Sequence, residues 1–105
     1  MVFPMNPALK AALADPSYRD TIARAALHAD TTIRRYIWRG HRRKYSASGE
    51  VMVGDKTAKD FVSEAVLRLI TGQRTFYPNR PLLDSLNSIT DSLISAEKKH
   101  SDRVA

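Results

Sequence analysis

Apolar residues recur every three or four positions in three stretches of this chain, and that period predicts helices. In the first stretch Ile22, Ala26, Ala29, Ile33, Tyr36 and Ile37 make one apolar stripe. In the second, Ala58, Phe61, Val62, Ala65 and Leu69 do the same, while Lys59, Asp60, Ser63, Glu64 and Arg68 fall on the opposite face. In the third, Leu82, Leu86, Ile89, Leu93 and Ala96 form a heptad-like stripe that Leu83 and Ile94 widen. Each stripe can be buried only against the others. The expected core is therefore Ile22, Ala26, Ile33, Phe61, Val62, Ala65, Leu69, Leu86, Ile89 and Leu93.

Punctuation residues set the boundaries. Asn6-Pro7 and Asp15-Pro16 each read as a cap followed by a first helical position. They predict a short helix over Pro7–Ala14 and a long one from Pro16 to Arg39, stopped by Gly40. Thr57 with Asp60 three residues on has the spacing of a capping box, and Gly72 stands where a helix ends in a left-handed residue. The segment between, "GHRRKYSASGEVMVGDK", has no helical period and reads as a loop. Val51-Met52-Val53 is strand-like, but a lone strand has nothing to pair with. Gln73–Arg80 is a connector whose Phe76 and Tyr77 rings are expected to fold onto the core. Pro81 starts the last helix, and the polar tail after His100 is expected to fray. The expected fold is all-α: a single domain over residues 1–105, a bundle of three main helices plus a short N-terminal one.

Length and composition change this picture little. At 105 residues the chain supports one domain. It has no cysteine, which removes disulfides and thiolate metal sites. Its net charge of +6 favours nucleic acid or an acidic protein as partner. The first residues lack a basic leader, and no stretch is apolar for long enough to cross a bilayer. A cytoplasmic protein without a membrane role is expected.

Nothing in the sequence argues for catalysis. His28, His41 and His100 are scattered and give no two-histidine ligand spacing. No phosphate-binding, dinucleotide or nucleophile-elbow motif occurs. Asp60 and Glu64 share a helical face, but such a pair without a histidine or a second acidic helix is ordinary solvated surface. The expectation is a non-enzyme with no cofactor and no metal.

The basic segment is more informative. "RRYIWRGHRRKY", Arg34 to Tyr45, holds six lysines and arginines with no acid, and Tyr36, Trp38 and Tyr45 lie among them. Cations with interleaved rings suit a phosphate backbone and unpaired bases. Arg34, Arg35, Trp38, Arg39, Arg42, Arg43 and Lys44 are the candidate nucleic-acid contacts. The plainer reading is that Tyr36 and Ile37 are core and the arginines complement the negative end of the helix dipole. It does not explain Arg42, Arg43 and Lys44, which lie past the helix.

"AKDFVSEAVLRLITG", the aromatic connector "RTFYPNRP" and "LLDSLNSITDSLISAEKKHSDR" together resemble region two of bacterial RNA polymerase sigma factors, especially the extracytoplasmic-function type. Ala58, Asp60, Val62, Glu64, Ala65 and Leu69 match that family's first motif helix, and Leu86, Ile89 and Leu93 match the core of the next. The resemblance covers about residues 20–103. It implies that the polar face of the first motif helix grips a coiled coil of the polymerase's largest subunit, through Asp60, Ser63, Glu64 and Arg68. Asp60 carries a second duty as capping-box partner, whereas Glu64 is expected to be exposed with no structural duty. The sequence departs from the family where promoter DNA is held. Ser85 stands at a position commonly tryptophan, and Asp91-Ser92 replaces an Arg-Asn step. No helix-turn-helix domain of the kind a complete sigma factor carries is read in these residues, so either a fragment or a stand-alone region-two-like protein is expected. The expected function is a sigma-like module docking on RNA polymerase, with weak nucleic-acid binding. DNA, an anti-sigma-like protein and a second copy of the chain are the other candidate partners. The alternatives are a small helical interaction or self-associating module with no transcription role, and a general nucleic-acid binder.

Overall fold

The computed structural model describes residues 5–37 and 44–104, with residues 36, 37 and 101–104 described by their backbone alone. Among the described residues the order is α1 (Pro7–Ala14), α2 (Tyr18–Ile37), β1 (Lys44–Tyr45), β2 (Val51–Val53), β3 (Lys56–Thr57), α3 (Ala58–Ile70) and α4 (Leu82–Val104). Asn6 caps α1, its Oδ1 accepting the Ala8 N–H at 2.8 Å, with Pro7 in the first turn. Asp15 then makes an Asx turn, accepting from the Ser17 N–H at 2.8 Å and the Ser17 hydroxyl at 2.7 Å. That turn delays the start of α2 to Tyr18, two residues beyond the expected Pro16.

The expectation of an all-α fold fails between Lys44 and Thr57. Three short strands form an antiparallel sheet in the order β1-β2-β3. Tyr45 lies opposite Val51 and Lys44 opposite Met52; Met52 and Val53 face Thr57 and Lys56 on the other side. Two glycines make the connections possible. Gly49 at φ 85° closes the turn after Ser46, and Gly54 at φ 63° turns β2 into β3. Val51 and Val53 are buried and Met52 between them is half-buried, the alternation of a strand with one face on a core. The fold is mainly helical, with a small sheet packed on α2 and α4.

Helices α2, α3 and α4 pack against one another pairwise. Ile33, Phe61, Val62, Ala65, Leu69, Leu86 and Ile89 are buried as expected. Ile22, Ala26 and Leu93 sit at the margin, partly buried against the core. Ala25, Ala29 and Ile94 lie deeper, and Leu9 of α1 closes one side. Phe76 of the connector is buried, but Tyr77 is 51% exposed, so only one of the two rings folds inward. α4 does not end at His100 and runs on to Val104.

Candidate docking face and basic segment

Thr57 ends β3 and caps α3. Its hydroxyl accepts the Asp60 N–H at 3.4 Å, and Asp60 Oδ2 accepts the Thr57 N–H at 2.9 Å, a complete capping box. The box fixes where α3 begins and therefore which residues its outer face presents. Lys59, Asp60, Ser63 and Leu67 are exposed along it, while Glu64 and Arg68 sit half-buried at its edge. Gly72, at φ 76°, ends the helix as expected.

Glu64 is not the free side chain that the sequence suggested. Lys56 Nζ lies 3.3 Å from its Oε2 and Arg68 Nη2 lies 3.1 Å from its Oε1. Lys56 also approaches Glu97 of α4 at 3.8 Å and stands 5.8 Å from the centre of the Phe61 ring. Burial alone would raise the Glu64 carboxyl, but hydrogen bonds from Arg68 and Lys56, with the field of both cations, leave it below the usual carboxylate range. This network ties the sheet edge to α3 and α4. Arg68 Nε is buried and finds no acceptor among the described residues. Of the four expected polymerase contacts, Ser63 alone carries no internal duty; Asp60 is held by the cap, and Glu64 and Arg68 by each other.

Two exposed leucines had no place in the expected site, Leu67 on the outer face of α3 and Leu27 on α2. Leu67 is 57% exposed in the middle of that face, and Leu27 is 67% exposed. Leu27, Ala26, Val51 and Ala58 line a groove of about 220 Å³ where α2, β2 and the start of α3 meet, with Asp30 and Lys59 also lining it. The signal was present: both leucines fall outside the core stripes of their helices, so each was an apolar residue without a place.

Part of the basic segment falls among the described residues. Trp38, Arg39, Arg42 and Arg43 lie outside the described residues. Arg34 Nε lies 2.8 Å from Asp30 Oδ2, and that hydrogen bond raises the guanidinium further above its ordinary value. Arg35 and Lys44 are exposed. Ser85 is buried, and Asp91 accepts from α2, with His28 Nε2 at 2.8 Å and Thr32 Oγ1 at 3.4 Å.

Among the described residues no group of three histidine, aspartate or glutamate side chains could hold a metal ion, and no helix is long and apolar enough to cross a membrane. Comparison with models of known families, with characterised proteins and with solved structures finds no match to this chain.

Proposed function

We propose that this chain is a non-enzymatic, sigma region-two-like module of the cytoplasm, docking on the coiled coil of the largest RNA polymerase subunit through the outer face of α3. The observation that carries the reading is Leu67, a large apolar side chain exposed on a face otherwise formed by Lys59, Asp60 and Ser63. A helix from a partner would cover that leucine, while the polar residues around it set orientation. The resemblance supplies the identity of the partner, and the exposed face supplies a surface of suitable chemistry. Weak contact with nucleic acid through Arg35, Lys44 and the stretch between them belongs to the same reading.

The decisive variant is Leu67→Asp, because Leu67 contributes to neither the cap nor the ion-pair network. Its melting temperature should match the wild type, while binding to the isolated coiled coil should weaken at least about tenfold. A wild-type protein that does not bind the coiled coil at all removes the polymerase assignment. The exposed Leu27 favours a second reading, in which the α2–α3 surface serves self-association or another helical partner. Sedimentation of the wild type and of Leu27→Asp over a range of concentrations separates the two.

A further inference from the structure

The connector between α3 and α4 and the first turns of α4 enclose a cleft of about 420 Å³, which shares no residue with the docking face. That volume lies within the roughly 300–1,000 Å³ range of small-molecule sites. Arg74 and Arg80 both line it, and neither guanidinium has a carboxylate partner among the described residues. Arg80 lies 5.3 Å from the centre of the Tyr77 ring. Asp84 lines the same cleft without pairing with either arginine. Ser85, only 8% exposed, lines it with Ser88, and neither hydroxyl donates a hydrogen bond to a described residue.

Two cations, one carboxylate and two hydroxyls thus surround one space without satisfying each other. The space between them asks for a ligand with an anionic end and a hydroxyl-bearing end. An exposed ring at the rim adds a surface for stacking.

We propose that this cleft binds a nucleoside monophosphate. The phosphate accepts charge-assisted hydrogen bonds from Arg74 and Arg80. The ribose hydroxyls donate to Asp84 and exchange hydrogen bonds with Ser85 and Ser88. The base stacks on the Tyr77 face that Arg80 leaves open. Asp84 makes the site selective: it repels a bare anion but accepts from a sugar.

The test is a titration of the full chain with AMP, followed by backbone amide shifts. Shifts should concentrate on Arg74–Ser88 and not on Arg34–Lys44. Adenosine, which lacks the phosphate, should bind at least about tenfold more weakly, and Arg74→Gln and Arg80→Gln should each cause a comparable loss for AMP. Both variants change side chains outside the core, and unchanged helical circular dichroism verifies that they fold. Asp84→Asn should weaken AMP and ribose 5-phosphate but not inorganic phosphate. The proposal is overturned if AMP and adenosine bind alike, or if Arg74→Gln binds AMP as the wild type does. A thymidine hexanucleotide that occupies the cleft when AMP does not overturns it equally.

Discussion

His28 Nε2 on α2 lies 2.8 Å from Asp91 Oδ1 on α4, joining two helices across 63 positions of sequence. Thr32 Oγ1 approaches the same oxygen at 3.4 Å and donates to the His28 carbonyl at 2.9 Å. Asp91 occupies the position where the sigma resemblance implies a basic step toward DNA. Here the acid has local partners on α2, so its presence at this position is accounted for by helix packing.

This contact is half-exposed, which limits its worth. Asp91→Asn, which keeps an acceptor oxygen but removes the charge, should cost less than about 1 kcal/mol. A urea midpoint measured beside the wild type reads it directly. A loss of several kcal/mol would mean that the α2–α4 packing depends on the pair.

Glu64 is a stronger case, since Lys56 and Arg68 both bond to it and Lys56 also approaches Glu97. Glu64→Lys places three cations together at the edge of α3. It should destabilise by roughly 1–3 kcal/mol, between the limits for exposed and buried pairs. The variant is therefore a poor probe of polymerase binding. Acid dependence gives a cleaner reading. The folded carboxyl titrates below its unfolded value, so its contribution is complete above the ordinary glutamate pKa of about 4.3 and disappears as pH falls through the lower folded value. The stability difference between wild type and Glu64→Gln should be present near neutrality and vanish in that acidic window. A difference that persists at lower pH would show that charge is not its source.

The helices were legible from the period of their apolar residues, and α1 and α3 also from their caps. Asn6, Thr57 with Asp60, and Gly72 act as their residue types suggest. The sheet was not legible, because β1 and β3 are two residues each and carry no alternation. Val51-Met52-Val53 showed the strand, but its partners are Lys44-Tyr45 and Lys56-Thr57, pairs whose side chains are polar or exposed. The available hint was Gly49 and Gly54 bracketing the valines, since turn residues on both sides of a short apolar run mark a meander. The same gap hid the role of Lys56, whose reach to Glu64 and Glu97 follows from its place on β3. In α2 the sequence stripe was rotated slightly, favouring Ala26 where the buried residue is Ala25. Alanines carry too little hydrophobic signal to decide between neighbours.

Thr90 on α4 is fully buried, and its hydroxyl finds no partner among the described residues. An unsatisfied buried hydroxyl costs stability that a methyl group of similar shape does not. Thr90→Val should be neutral or stabilising by about 1 kcal/mol. A thermal melt that shows clear destabilisation would reveal a hydrogen bond to this hydroxyl.

Leu86 tests the core itself. It is fully buried on the apolar face of α4. Leu86→Ala removes transfer energy and leaves a cavity, so it should cost about 2–5 kcal/mol. Chemical denaturation with an unchanged slope is the measurement, and a loss under about 1 kcal/mol would contradict burial at this position.

The nucleic-acid part of the proposed function rests on cations that are free to meet phosphate. Arg34, Arg35 and Lys44 are all exposed, but Arg34 is held by Asp30 at 2.8 Å, whereas Arg35 and Lys44 have no ion pair among the described residues. Phosphate contacts release counterions, and each one steepens the dependence of log affinity on log salt by about 0.7 for single strands and 0.9 for duplex. Arg35→Ala should flatten that slope by about one such contact. Arg34→Ala should alter it little, because its guanidinium is already paired. Asp30→Asn separates the two explanations, since it releases Arg34 without adding a new cation. That variant should bind more tightly at low salt and show a steeper slope. If the slope is the same in the wild type, Arg35→Ala and Asp30→Asn, this part of the segment does not touch phosphate, and any affinity for nucleic acid arises elsewhere on the chain.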